Sequence, residues 1–156
     1  MGSLTVGRIS GGHVVRLFGH GTLRESRALA DLLAAAPGQG RVDLDLRKTD
    51  WLDSTFLGSL MALHKRLNRP GTILFRICAD PVHTHKLFGR TRMDTVLPQT
   101  PEPEPAKGPE EHVPEAVMDT VGLTLFVADC HRRLAELGGP DSATFAAVAE
   151  AFTPPV

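Results

Sequence analysis

The chain has little aromatic content and no strong charge of either sign. Only 5% of its 156 residues are aromatic and none is tyrosine, which argues against a surface that stacks nucleic-acid bases. The net charge of −1 supplies no basic field for nucleic acid or for an anionic membrane. We therefore expect no nucleic-acid partner.

Long apolar runs and export signals are also missing. Runs such as 121–128 fall short of the about 20 residues that a membrane span needs. The first residues lack the basic and apolar regions of a signal peptide, and Cys78 and Cys130 are not part of a Cys-x-x-Cys motif. These features predict a reduced, cytoplasmic protein without direct membrane insertion.

Strands and helices alternate over the first 98 residues. Two apolar runs, 4–9 and 13–18, flank Ser10-Gly11-Gly12 and predict a β-hairpin. The other predicted elements are, in chain order, a helix from Thr22 to about Ala36 with a Thr22–Glu25 capping box, a strand at 42–46, a helix at 54–67, a strand at 72–77, a helix at 81–88 and a strand at 95–97. This order predicts an α/β fold over residues 1–98.

The composition changes after Pro98. Prolines and glutamates dominate residues 99–114, which favours an extended, semi-rigid linker over a packed element. Residues 115–156 form a predicted helical extension, with helices over 115–137 and from Ser142 onward; the run 124–127 leaves a strand as the alternative near the start of the first helix. About 40 residues cannot easily form a core alone, so the extension should pack on the sheet, on a second copy in a homodimer or on a partner. The apolar side chains available for this packing are Leu125, Leu134, Phe145 and Phe152.

The segment Asp53-Ser54-Thr55 lies between an alternating strand and an apolar helix. Its hydroxyls therefore occupy the first helical turn, where N–H groups lack partners and the helix dipole is positive. Three roles remain open at this stage: a helix cap worth about 1 kcal/mol, a phosphorylation switch or a nucleophile.

Catalytic and metal-binding patterns are poorly supported. Ser54 does not lie in a Gly-x-Ser-x-Gly turn, and no phosphate-binding Gly-x-x-x-x-Gly-Lys loop occurs. His83 and His85 are two positions apart, so they do not share a helix face. The carboxylates of Asp45, Asp50 and Asp53 are better explained by capping and by a solvated strand edge than by Mg²⁺ binding. We expect no catalytic residue, no metal and no cofactor.

Residues 4–98 resemble the STAS domain, the family of anti-sigma factor antagonists. The family's signature is an apolar strand ending in Asp-Leu, a short turn, and Asp-Ser-(Ser/Thr)-Gly-Leu-Gly at the start of an apolar helix. Here the corresponding residues are Asp45-Leu46 and then Asp53-Ser54-Thr55-Phe56-Leu57-Gly58. The segment 87–94, Leu-Phe-Gly-Arg-Thr-Arg-Met-Asp, is similar to the family's short helix and entry to its last strand.

The resemblance implies a mixed sheet of four or five strands led by the hairpin, with helices mainly on one face and the C-terminal helical extension added. It also implies a switch: a serine-kinase anti-sigma factor phosphorylates Ser54, with Thr55 as second candidate, and a phosphatase reverses this. The partner-binding residues implied by the motif are Asp53, Ser54, Thr55, Phe56, Gly58, His20 and Thr22.

Two residues depart from the family pattern. Phe56 stands where the family usually has glycine, and the loop Gly19-His20-Gly21-Thr22 lacks the family's frequent acidic residue. These departures favour an alternative, a STAS subunit that is not phosphorylated and that docks, for example, on the ATPase of a lipid-transport ABC system. An enzyme would instead need a deep pocket beside Ser54, lined by Asp53 and by a histidine such as His20.

Overall fold

The chain forms an α/β fold around one mixed sheet. A computed structural model describes residues 1–35, 40–117 and 119–153. Within these ranges the elements are β1 (Ser3–Ile9), β2 (Gly12–Gly21), α1 (Leu23–Ala34), β3 (Arg41–Asp45), β4 (Thr49–Leu52), α2 (Ser54–Leu67), β5 (Phe75–Cys78), α3 (Pro81–Phe88), a 3₁₀ turn (Met93–Thr95), β6 (Gln99–Thr100), β7 (Glu111–His112), α4 (Thr120–Glu136) and α5 (Ser142–Phe152).

The strand order places the first three helices together on one face. The order is β6-β5-β3-β2-β1-β7, with β4 paired to the end of β2. The pairs β2–β3, β3–β5 and β5–β6 are parallel, and each crossover moves one strand further in the same direction. Because such crossovers are right-handed, α1, α2 and α3 lie on the same face. Leu29, Leu60 and Phe88, one from each helix, join a single core cluster with Leu44 and Ile77 of the sheet.

The predicted hairpin is present. β1 and β2 pair antiparallel, with Leu4 opposite Leu17, and Gly11 adopts a φ of 74° in the turn between them. The predicted apolar stripe of α2 is also present, because Phe56, Leu60 and Leu63 are buried in the core. The sequence predicts these elements correctly because each of them buries one face, and the apolar residues of that face recur at regular spacing.

The sheet is wider than predicted. Seven strands are found in the described part of the chain, instead of four or five. Three of the strands arise in segments read as turn or linker: β4 lies in the turn before Asp53, while β6 and β7 flank the proline-rich stretch. β6 and β7 have only two residues each, as expected near prolines, which cannot donate to a ladder.

A predicted strand and a predicted helix start were wrong. The strand expected at 95–97 is replaced by the 3₁₀ turn, because the N–H groups of Val96 and Leu97 both donate to the carbonyl of Met93. The helix expected from residue 115 begins at Thr120, where the side chain of Asp119 accepts from Gly122 N at 2.6 Å. The predicted end of the first helix, at Ala36 and Pro37-Gly38, lies outside the described residues.

Residues 101–110, here called the strap, cross the sheet face opposite the helices. The strap runs from β6 at one edge of the sheet to β7 at the other. Its glutamates hold it to the strands: Arg16 Nε donates to Glu110 at 2.7 Å, and Arg41 pairs with Glu104. The backbone N–H of Lys107 donates to the carbonyl of Arg8 at 2.7 Å. The segment is therefore extended, as its composition suggests, and is packed on the sheet.

Buried acids on β3 lie beneath this strap. Asp43 and Asp45 alternate with core-facing Val42 and Leu44, and both carboxylates are almost fully buried. Arg76 donates two hydrogen bonds to Asp43, and Arg47 donates two side-chain hydrogen bonds to Asp45. Burial would raise the pKa of Asp45, but hydrogen bonds from Arg47 and Arg16 outweigh it and hold the pKa below its usual value.

The C-terminal helices pack on the helical layer. α4 lies against α2, and α5 lies against α4. Leu134 is buried in the core cluster and Phe145 packs against its margin, whereas Leu125 and Phe152 stay substantially exposed. The extension therefore covers α2 rather than a face of the sheet. Among the described residues, no helix is both long and apolar enough to cross a membrane.

Candidate functional site

Asp53 is the N-cap of α2. It follows β4 in extended conformation, with φ −79° and ψ 169°, and its Oδ1 accepts a hydrogen bond from Phe56 N at 2.8 Å. Ser54 and Thr55 are consequently the first two helical residues, and neither is the cap. The sequence placed this segment correctly at the helix start, and the structure assigns the capping role to the carboxylate.

The same carboxylate serves a second helix. Asp53 Oδ2 accepts from the backbone N–H of Leu23 at 3.2 Å, at the start of α1. Burial raises the pKa of Asp53 above its usual value, and the hydrogen bonds from Phe56 and Leu23 act against that rise. One charged group thus joins the N-termini of α1 and α2, which brings the loop before α1 next to Ser54.

The predicted capping box at Thr22 and Glu25 was wrong. Thr22 makes no side-chain cap, and its Oγ1 instead donates to Glu25 Oε2 at 2.8 Å. The Thr22 hydroxyl is directed to the Glu25 carboxylate and away from the backbone N–H groups, while Asp53 accepts from Leu23 N, the first N–H group of α1.

Ser54 contacts a histidine of the C-terminal extension. Its Oγ lies 2.7 Å from Nε2 of His131, a buried residue of α4. The Nδ1 atom of His131 lies 2.8 Å from the carbonyl oxygen of Val127. A carbonyl only accepts, so Nδ1 carries the proton, and in the neutral ring Nε2 accepts from the Ser54 hydroxyl. This histidine was not predicted as a site residue, because the neighbouring Arg132 and Arg133 are typical of a solvated helix face.

A serine beside a histidine is also the arrangement of an activated nucleophile. Here the histidine is oriented by a backbone carbonyl rather than by a carboxylate. Ser54 does not line any of four cavities found among the described residues. Burial raises the pKa of both Cys78 and Cys130 to about 12, which keeps these thiols protonated and unreactive.

Close packing of α4 explains Gly58. A Cβ atom at this position would overlap the backbone carbonyl of Cys130 in α4. Cys130 itself is 3% exposed and Ala128 is 2% exposed, so the two helices approach with no room for a larger side chain. Gly58, the last glycine of the signature motif, therefore lies under α4, about one helical turn from Ser54.

The other signature residues lie below the surface. Phe56 is fully buried within the core cluster, and Thr55 is 7% exposed. Phe56 is therefore a core residue and does not reach the surface. Of the predicted partner-binding residues on α2, only Ser54 and the adjoining cap Asp53 are partly exposed.

The rings of His20 and Trp51 form an aromatic surface near the start of α2. The ring of His20 lies 4.7 Å from that of Trp51, and Trp51 is 45% exposed. Thr22, the other predicted residue of this loop, is partly exposed. The structure thus brings His20, Thr22 and Asp53 together with Trp51, which was not singled out. The available signal was that the only tryptophan of the chain stands in a polar turn.

Four of the side chains considered for metal binding make other contacts: His83, His85, Asp45 and Asp53. His83 Nε2 donates to the carbonyl of Leu46 at 3.0 Å, whereas His85 contacts Asp94. Asp45 is held by arginines, and Asp53 by two N–H groups. No group of three or more potential metal ligands occurs in the part of the chain that the structure describes.

Comparison with known proteins adds no assignment: no protein-family model matches the chain, and no curated protein matches it significantly.

Proposed function

We propose that this protein is a STAS-type regulatory protein that acts in the cytoplasm as an anti-sigma factor antagonist. It binds a serine-kinase anti-sigma factor and is released when that kinase phosphorylates Ser54; a phosphatase restores binding. The mixed sheet, the leading hairpin, the three helices on one face and the signature at the start of α2 support this proposal.

The observation that carries the proposal is the placement of Ser54. It is the first residue of α2, it is partly exposed, and Asp53 supplies the cap, so its hydroxyl is not needed to begin the helix. A phosphate here would add about −1.5 to −2 charges at the positive end of a helix dipole, which the helix tolerates. A partner surface that fits neutral Ser54 would meet a hydrated dianion instead, and binding would be lost without unfolding.

The docking surface that we propose combines exposed and supporting residues. Ser54, Asp53, His20 and Thr22 lie at the surface beside the exposed ring of Trp51. Thr55, Phe56 and Gly58 support this surface from below, through the core and through α4.

Phosphorylation would also act on the C-terminal extension. A phosphorylated Ser54 no longer has the hydroxyl proton that it donates to His131 Nε2. A dianion facing the lone pair of a neutral imidazole is repelled, so either the ring takes up a proton or α4 moves away. Phosphorylation of Ser54 would thereby change the contact between α2 and α4.

The test is a pull-down with the full chain as wild type, Ser54→Ala and Ser54→Asp, with partners identified by mass spectrometry. Ser142→Asp is the matched control, because Asp141-Ser142 also begins a helix, α5. We expect wild type and Ser142→Asp to retain a kinase that Ser54→Asp loses. With that kinase and ATP, wild type should gain one phosphate and Ser54→Ala none. Phosphate incorporated elsewhere, with Ser54 unmodified, would refute the proposal.

A second candidate is a STAS binding subunit without phosphorylation, docking for example on the ATPase of a lipid-transport ABC system. The observation that favours it is the hydrogen bond from Ser54 to His131, which gives the serine a structural partner under α4. The same pull-down separates the two: an ABC ATPase supports this candidate, and a GHKL-type kinase contradicts it.

A further inference from the structure

A large cavity opens at the far end of α2 from Ser54. It measures about 890 Å³ and lies between the sheet and the C-terminal ends of α1 and α2. Since α2 runs from Ser54 to Leu67, the two sites are about 20 Å apart at a rise of 1.5 Å per residue. The cavity volume falls within the about 300–1,000 Å³ of small-molecule sites.

The floor and roof of this cavity are apolar. Val6 faces Val15 across the β1–β2 ladder, and Val42 of β3 continues the same floor. Leu32 and Leu33 of α1 and Leu67 of α2 form the roof. All six side chains are branched aliphatic groups, so the interior favours a hydrocarbon chain over a polar ligand.

The rim of the cavity is basic. Two residues along the ladder from the Val6–Val15 pair, Arg8 lies opposite His13. Arg66 and Lys107 also line the opening of the cavity. Arg8, Arg66 and Lys107 are exposed, and none forms an ion pair with a carboxylate that the structure describes. One carboxylate, Glu111, lines the cavity as well. Three cations against one anion leave this opening complementary to a negative charge.

We infer that this cavity binds a single-chain amphiphilic anion, a fatty acid of about 12 carbons whose carboxylate meets Lys107, Arg66 and Arg8. With a methylene taken to be about as large as a water molecule, about 30 Å³, such a chain needs about 360 Å³, so it enters the cavity of about 890 Å³ without overlap and occupies less than half of it. A nucleotide fits less well, because His13 is the only aromatic ring among the described lining residues, and one ring offers little base stacking. The inference does not depend on the function proposed for Ser54.

The ligand test is isothermal titration of the full chain with sodium dodecanoate, kept below its micelle concentration. Dodecyltrimethylammonium provides a chain of matched length and opposite charge. We expect saturable one-to-one binding of dodecanoate, at least about tenfold tighter than the cation, because each charged contact is worth about 1.5–3 kcal/mol and 1.4 kcal/mol is a factor of ten. Equal affinity for both probes, or no saturation with dodecanoate, would overturn the inference.

Two variants locate the site. Lys107→Glu should weaken dodecanoate binding about tenfold or more, whereas Lys86→Glu, the same charge reversal at an exposed position of α3, should leave it unchanged. Ala34→Trp places a large ring at the exposed rim and should block binding while the melting temperature stays close to wild type. Retained binding in Ala34→Trp, or equal loss in both lysine variants, would contradict this site. A dimer in sedimentation velocity that excludes dodecanoate would assign the cavity to a second copy instead and would also overturn it.

Discussion

Ser54 Oγ and His131 Nε2 lie 2.7 Å apart although the two residues are 77 positions apart in the chain. This contact joins the start of α2 to the middle of α4. It means that the residue proposed as the switch is held by the C-terminal extension of the same protein. The contribution of this contact to stability and the role of the C-terminal extension in folding can be measured separately.

Replacing His131 should destabilise the fold. His131→Ala removes a buried ring, which packs near Phe145 at 6.1 Å between centroids, and leaves Ser54 without its acceptor. We expect the free energy of unfolding in urea to fall by about 1–3 kcal/mol. Arg132→Ala, on the exposed side of the same helix, should change it by less than about 0.5 kcal/mol. Equal effects of the two variants would contradict a specific role for the Ser54–His131 contact.

Replacing Asp53 should remove two caps at once. Asp53→Ala takes the acceptor from Phe56 N in α2 and from Leu23 N in α1. At about 1 kcal/mol for each cap, the free energy of unfolding should fall by about 2 kcal/mol. Asp80→Ala is the matched control, because Asp80 caps only α3, through His83 N at 2.8 Å. If the free energy of unfolding fell equally in both variants, the contact with Leu23 would contribute nothing to stability.

A methyl group at Gly58 should push α4 from α2. Gly58→Ala places a Cβ against the carbonyl of Cys130, a backbone atom that cannot move aside alone. Limited proteolysis should then cut more readily in the segment before α4, while the sheet remains protected. Gly122→Ala is also a helical substitution, but its Cβ meets only a side-chain oxygen of Asp119 at 2.9 Å, so it should leave cleavage near the wild-type rate. Unchanged cleavage in Gly58→Ala would argue against tight α2–α4 packing.

Acid should weaken the ion pairs beneath the strap. The folded pKa of Asp45 lies below the unfolded value of about 3.9, so the unfolded state binds more protons as the pH falls. The stabilisation from Asp45 is therefore complete above about pH 4 and is lost as the pH falls through the folded pKa. When urea unfolding is measured from about pH 7 to pH 3, the free energy of unfolding should fall less in Asp45→Asn than in wild type. Asp50→Asn, at an exposed position, should follow wild type.

Removal of residues 99–156 should expose apolar surface. The deletion takes away β6 and β7 at the sheet edges, the strap and α4, whose Leu134 is buried in the core cluster. We expect residues 1–98 alone to aggregate and to bind a hydrophobic dye. A soluble monomer with a cooperative melting transition would show that the extension is dispensable for folding.

Much of the fold was readable from the sequence because the signals are local. The hairpin follows from two apolar runs around glycines, and the buried stripe of α2 follows from Phe56, Leu60 and Leu63 at helical spacing. The two-residue strands β6 and β7 were not predicted. They form only where the extended strap meets existing sheet edges, and proline-rich sequence carries no strand periodicity.

The candidate site likewise has one part that the sequence predicts and another that depends on tertiary contacts. The sequence alone determined that Asp53, Ser54 and Thr55 begin an apolar helix, since a strand, a short turn and a stripe of apolar residues specify that position locally. Only the tertiary structure decided that Asp53 also caps α1, that Phe56 is a core residue and that His131 holds Ser54. These contacts join residues from distant segments, and their partners are chosen by packing of the whole chain.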